Sequence, residues 1–148
     1  MIIRKATLED FAEIDSFDVF GGDRRTEIER EEILVVIIDE KIAGYITHNR
    51  SFYGRAFVQF VNTKPEFLKR GVAKSLFDYV EKIYSESGDE LIFSSTEDYN
   101  NIMLGFFERN GWQKSGVIHN IQKAAEIIFV KRLNNFDKEL QYEPKLYK

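Results

Sequence analysis

The chain has no cysteine, so disulfide staples and thiolate chemistry are both excluded. It has only two histidines, His48 and His119, far apart in sequence. They form no recognisable metal-ligand spacing, and no metal is expected. Basic residues are in the minority, with a net charge of −4. That balance gives no support to nucleic-acid binding, which shows as a basic domain or face. Prolines number two and glycines nine, and neither gathers into a linker or low-complexity tract. No apolar run reaches the length of a membrane span. The first ten residues, Met1 to Asp10, have no apolar stretch of the signal-peptide kind. A cytoplasmic location is therefore expected.

What is present is the composition of a globular chain. Of 148 residues, 43% are hydrophobic and 31% charged, which suits one domain with one core. Thirteen Phe and seven Tyr supply enough large apolar groups to fill it densely.

Ile2 to Lys5 is a short strand candidate. Thr7 is placed to cap a helix, with Asp10 three residues on, and Leu8, Phe11, Ile14 and Phe17 follow at helical spacing. Gly21 and Gly22 end that segment. Arg24 to Glu32 is dense in charge, and it reads either as a solvated helix face or as a wall of an acceptor site. Ile33 to Ile38 is a buried strand. Ile42 to His48 and Phe57 to Thr63 complete an antiparallel meander, turning at Asp39 to Lys41 and at Tyr53-Gly54.

After Gly71 the period changes. Val72, Leu76, Val80 and Ile83 share one helix face, and Gly88 ends the helix. Leu91 to Ser95 is another strand. Asn100 or Asn101 caps a helix carrying Ile102, Leu104, Phe106 and Phe107, with Gly111 past its end. Two last strands are expected around Trp112 to Val117 and Glu126 to Leu133. The fold class is therefore α+β, or mixed α/β, with a largely antiparallel sheet of about seven strands and about four helices. Residues 1–133 form the domain, and 134–148 read as a polar tail.

The stretch from Phe57 to Phe77 carries the chemistry. It is a strand, a tight loop and a helix start. A helix start presents backbone N–H groups without internal partners, and with the helix dipole they attract phosphate. Gly71 removes a side chain where the backbone must approach a ligand. Ala73 keeps the next position small. Lys69, Arg70 and Lys74 add positive charge.

This loop, Leu68-Lys69-Arg70-Gly71-Val72-Ala73, resembles motif A of the GNAT acetyltransferase superfamily, which reads Gln/Arg-x-x-Gly-x-Gly/Ala. Pro65, Glu66 and Phe67 resemble its Pro-Glu-aromatic lead-in. Asn100 and the run from Phe106 to Trp112 resemble a downstream helix of the same family, and Ile2 to Asp10 is similar to its first strand and helix entry. The resemblance covers about residues 1–133. It implies that acetyl-CoA is the cosubstrate, its pyrophosphate on the amides of Lys69, Arg70, Gly71, Val72, Ala73 and Lys74. It also implies that the pantetheine arm runs beside Val61, Asn62 and Thr63. The thioester would lie in a splay between this strand and the next. Asn100 matches an Asn that contacts the cofactor.

Three positions depart from the family pattern. Leu68 replaces the usual Gln or Arg. Phe107 stands where many relatives carry a Tyr general acid; it belongs to the core or packs on the cofactor. Ser95 stands about where some relatives carry a Glu general base. No catalytic residue is assigned. His48, Glu27, Tyr53 and Tyr99 remain possible proton acceptors, and His119 lies in a loop that borders the acceptor pocket in similar proteins.

The expected function is acetyl transfer from acetyl-CoA to an amine by direct attack in a ternary complex, in a monomer or homodimer. The acceptor would be a small molecule or peptide, with neither nucleic acid nor membrane as partner. The acidic segment suggests a cationic acceptor. Two alternatives stay open: a non-catalytic acyl-CoA-binding or regulatory module, motivated by the absent Tyr and Glu, and an interaction domain without a CoA site.

Overall fold

Residues 1–134 are described by a computed structural model. The run Ile33–Ile38 forms β2, buried along its length except at Ile37, which is half-buried. Such a strand lies in a sheet covered on both faces. Its neighbours are β1, Ile2–Lys5, and β3, Lys41–Phe52, both antiparallel to it. β4, Arg55–Thr63, pairs antiparallel with β3. The sheet continues through β5 (Leu91–Glu97), β7 (Glu126–Arg132) and β6 (Gln113–Ile118), in the order β1-β2-β3-β4-β5-β7-β6. Of these pairings only β4 with β5 is parallel, because a helical crossover joins those two strands.

The helices are α1 (Phe11–Phe17), α2 (Arg24–Glu29), α3 (Val72–Glu86) and α4 (Asn101–Arg109). In α3, Val72, Leu76, Phe77, Val80 and Tyr84 form one buried stripe. They pack with Phe107 of α4 and with Ile46, Val58 and Phe129 of the sheet. Ile14 of α1 and Ile28 of α2 cover the other face, over Ile33, Val35, Ile42 and Tyr45. The mixed, largely antiparallel sheet of seven strands with four α-helices is the expected fold.

Several details differ from the sequence reading. β3 and β4 extend to the Tyr53-Gly54 turn, where both residues have positive φ (53° and 76°), as a two-residue hairpin turn requires. The polar run Asn49 to Ser51 hides this extension, yet Asn49 pairs with Phe57 and Phe52 with Arg55. β5 runs to Glu97, two residues past Ser95, because β7 pairs along its whole length. α2 is solvated on one face only: Arg25 and Glu29 are exposed, whereas Ile28 is buried and Arg24 is only 2% exposed.

Arg24 survives burial because partners surround it. Its Nε donates to Asp18 at 3.1 Å and one terminal nitrogen to Glu27 at 2.6 Å. The other reaches the Gly21 carbonyl, and the guanidinium lies 4.4 Å from the centre of the Phe60 ring. Asp18 also accepts from the Tyr45 hydroxyl. This network ties the α1–α2 connection to β3 and β4.

Of the tail read for 134–148, all but Asn134 lies outside the described residues. Asn134 itself donates to the carbonyls of Ser85 and Asp89, at 3.1 and 2.8 Å.

Candidate functional site

The loop before α3 is shaped by its backbone. Lys69 (φ 62°) and Gly71 (φ 75°) are left-handed, and Arg70 between them is not. Alternating signs of φ turn successive N–H groups toward one concavity, which suits an anion. The first helical bond runs from Ser75 N to Gly71 O at 2.9 Å, and no side chain caps the helix. Among the described residues the amides of Lys69, Arg70, Gly71, Val72, Ala73 and Lys74 therefore have no hydrogen-bond acceptor. A Cβ on Gly71 would meet nothing within 4 Å. The left-handed φ by itself favours glycine here.

Another glycine seats the helix. A Cβ on Gly44 would lie 2.6 Å from Asn62 O and 2.7 Å from Val72 Cγ1. Its absence lets the start of α3 settle onto β3 and β4.

The three cations of the loop are exposed, but two are engaged. Lys74 pairs with Asp78 at 2.8 Å, which holds its pKa above the ordinary lysine value. The Arg70 guanidinium lies 5.5 Å from the Phe67 ring centre. The backbone donors are thus the larger fixed attraction for a phosphate.

Next to the loop the sheet opens. β4 and β5 pair only at Ala56–Ile92, Phe57–Phe93 and Val58–Ser94. Beyond that point β4 keeps its bonds to β3, with Val61 opposite Ile46, Asn62 opposite Tyr45 and Thr63 opposite Gly44. β5 keeps its bonds to β7 as far as Glu97. The two facing edges are unpaired there, so β4 from Gln59 to Thr63 offers backbone groups for an added strand-like ligand.

A cleft of about 590 Å³ occupies this opening. Val61, Thr96, Asn100 and Met103 line it at the splay, and Phe20, Phe52, Phe57 and Phe60 form an aromatic wall. Its charged lining is Glu97 and Glu126. A second pocket of about 440 Å³ shares Gln59 and Phe60 with the first. Its charged residues are Asp23, Glu27, Arg30 and Glu32.

The sequence candidates fall into place unevenly. Val61 and Asn100 line the cleft. The Asn62 amide donates to the Phe17 carbonyl at 2.9 Å. Asn100 Oδ1 accepts from Met103 N at 3.2 Å and caps α4, which leaves its NH₂ group and one lone pair of Oδ1 for a ligand. Phe107 is fully buried, stacked on Phe129 with ring centres 4.4 Å apart. It has no surface for a ligand to touch, because the α4 stripe turns it into the core; the structure does not bring it to the cleft. Leu68 is exposed.

The possible proton acceptors scatter. His48 lies on the α3 side, with Nδ1 2.8 Å from the Tyr84 hydroxyl. Burial, and then nearby Lys5 and Arg50, push its pKa down to about 4. Burial likewise pushes Tyr84 up to about 12. Tyr53 and Tyr99 are exposed on turns, and His119 is exposed in the β6–β7 connection. Glu27 lies in the second pocket, its pKa raised by burial against the opposing pull of Arg24. Sequence reasoning missed Glu97 and Glu126. Ending β5 at Ser95 hid the first, and nothing local tied the start of β7 to Ser95.

Comparison with known proteins places this geometry. The model of the family described as "Acetyltransferase (GNAT) family" matches residues 3–112. A GNAT-family acetyltransferase from Bacillus cereus ATCC 10987 is 31% identical, with a TM-score of 0.76 over 88% of this chain and 96% of that one. The ribosomal-protein-S18-alanine N-acetyltransferase of Escherichia coli is 12% identical, with a TM-score of 0.77 over 95% and 99%. The PaiA N-acetyltransferase of Thermoplasma acidophilum, solved in complex with coenzyme A, is 17% identical, with a TM-score of 0.75 over 88% and 98%. The last two likenesses are of fold alone. No described helix is long and apolar enough to cross a membrane.

Proposed function

The chain belongs to the GNAT family of acetyltransferases, and from that premise we propose that it moves an acetyl group from acetyl-CoA to an amine. The observation that carries this reading is the set of free amides from Lys69 to Lys74 beside an unpaired strand edge. The amides and the dipole of α3 would hold the diphosphate. Val61, Asn62 and Thr63 would hold the pantetheine amides as an added strand does, and the Asn100 NH₂ group would meet the cofactor at the splay. Phe107 supports these elements from behind, through the core.

The acceptor enters the cleft on the aromatic side. Direct attack in a ternary complex needs no covalent enzyme intermediate, and a chain without cysteine is compatible with that. What the protein supplies is approach geometry and a route for the ammonium proton. A second pocket, lined by Asp23, Glu27, Arg30 and Glu32, lies beside the cleft, with Glu27 already paired to the buried Arg24.

Thiol release from acetyl-CoA, followed across a panel of small-molecule and peptide amines, tests this reading. Turnover of at least one amine is expected. A second reading, acyl-CoA binding without catalysis, draws on the missing Tyr hydroxyl at Phe107. Tight acetyl-CoA binding with no turnover across the panel would favour it.

A further inference from the structure

Glu97 closes β5, Glu126 opens β7, and the two are direct register partners. Like charges opposite one another destabilise an antiparallel pair. None of the ion pairs among the described residues engages either carboxylate. Both face into the cleft.

Glu126 is held in place. Ser95 Oγ donates to its Oε2 at 2.8 Å, and Gln122 Nε2 donates to its Oε1 at 2.9 Å. Each oxygen keeps a further lone pair, so the carboxylate is oriented and can still accept a proton. The serine that departs from the family's carboxylate position thus brings in a carboxylate from the neighbouring strand.

Facing these groups are two ring pairs. Phe20 stacks on Phe60 at 4.7 Å and Phe52 on Phe57 at 5.1 Å. Ile118 and Ile121 extend the apolar lining to the rim, both exposed. A pocket of this size, mostly apolar with a few placed polar groups, is the ordinary form of a small-molecule site.

We infer that this cleft takes a primary amine borne on a ring-sized apolar body, and that Glu126, oriented by Ser95, removes the proton from its ammonium. The inference rests on the acetyl-transfer reading above. The rings hold the apolar body, and the glutamates draw the ammonium toward the splay. One N–H bond breaks, its proton passing to Glu126 and then to solvent. The freed lone pair forms the C–N bond to the acetyl carbon as the C–S bond breaks. The sulfur leaves with the electron pair and takes the second nitrogen proton, giving CoA thiol and the N-acetyl amide. The second pocket, with Asp23, Glu27, Arg30 and Glu32, offers a polycation a separate place, so the two acceptor chemistries are distinguishable.

The test compares 2-phenylethylamine with 1,4-diaminobutane in the thiol-release assay, using the intact chain, Glu126→Gln and Ser95→Ala. Calorimetry follows CoA binding, and then phenylethylamine binding to the CoA-saturated protein. Phenylethylamine should have a kcat/KM at least about tenfold higher than diaminobutane. Glu126→Gln should lower kcat about a hundredfold at pH 7 and weaken amine binding, with CoA affinity unchanged. That loss should shrink as pH rises, because the amine then arrives already deprotonated. Ser95→Ala should show a smaller loss with the same pH trend. Preference for diaminobutane would overturn the inference. So would absent phenylethylamine turnover by a protein that binds CoA, or an unchanged pH–rate profile in Glu126→Gln. Failure to bind CoA would instead overturn the acetyl-transfer reading, and this one with it.

Discussion

The Ser94 hydroxyl donates to the Val58 carbonyl at 2.8 Å, in a buried position, at the last register pair that β4 and β5 share. The bond satisfies an acceptor at the point where the parallel ladder stops. The strands can part there without leaving that oxygen bare. The opening that receives the proposed thioester is thus bounded by a side-chain bond.

Ser94→Ala should therefore destabilise the protein out of proportion to the atom removed. A buried carbonyl loses its donor, which costs about 1–2 kcal/mol. Urea unfolding should show that loss in the midpoint with an unchanged slope.

Gly71→Ala tests the loop. The left-handed φ of Gly71 costs an L-residue about 1 kcal/mol, and relaxing it would turn the neighbouring amides out of their common concavity. CoA affinity should fall about tenfold or more, measured by calorimetry, while the far-UV circular dichroism stays unchanged. Gly44→Ala should act through the helix instead, since its Cβ would press on Val72 and the Asn62 carbonyl. It should lower both stability and CoA affinity.

Arg24→Ala would leave Asp18 buried beside Tyr45 without its cation. Breaking a buried pair in this way costs about 3 kcal/mol or more. The expected outcome in urea is a large midpoint loss, with Arg24→Lys recovering little, because an ammonium cannot reach Asp18, Glu27 and the Gly21 carbonyl as a fork does.

His48 gives the protein a pH-dependent stability of definite sign. In the folded chain its pKa is about 4, against an ordinary 6.5. Between those values the unfolded chain binds a proton that the folded one refuses, so stability falls as pH drops from about 6.5 toward 4. From pH 7.5 to pH 5 the His48 contribution amounts to about 2 kcal/mol. His48→Gln should lose correspondingly less stability over that interval than the unaltered chain in paired urea titrations. Equal losses would remove His48 as the cause.

The parts legible in the sequence were those with local signals. The stripe from Val72 to Val80, the cap at Asn100 and the glycines at 71, 88 and 111 mark both long helices by spacing and φ preference alone. The loop that opens α3 was legible for the same reason. The left-handed turn at Lys69 was not, since lysine carries no preference for it. Phe107 was read through a family position either as core or as packing on the cofactor, and helix α4 rotates it into the core, onto Phe129. The cleft's carboxylates escaped notice because Glu126 reaches Ser95 across 31 residues of chain. Only the β5–β7 register brings them together, and no short-range pattern encodes a pairing of that span.

The most direct measurement is a crystal structure of the protein grown with CoA. The diphosphate is expected within hydrogen-bond distance of the amides from Lys69 to Lys74, and the pantetheine along Val61 to Thr63, with the sulfur in the opening beyond Val58 and Ser94. A diphosphate bound anywhere else, or a loop left bare at saturating CoA, would contradict that placement.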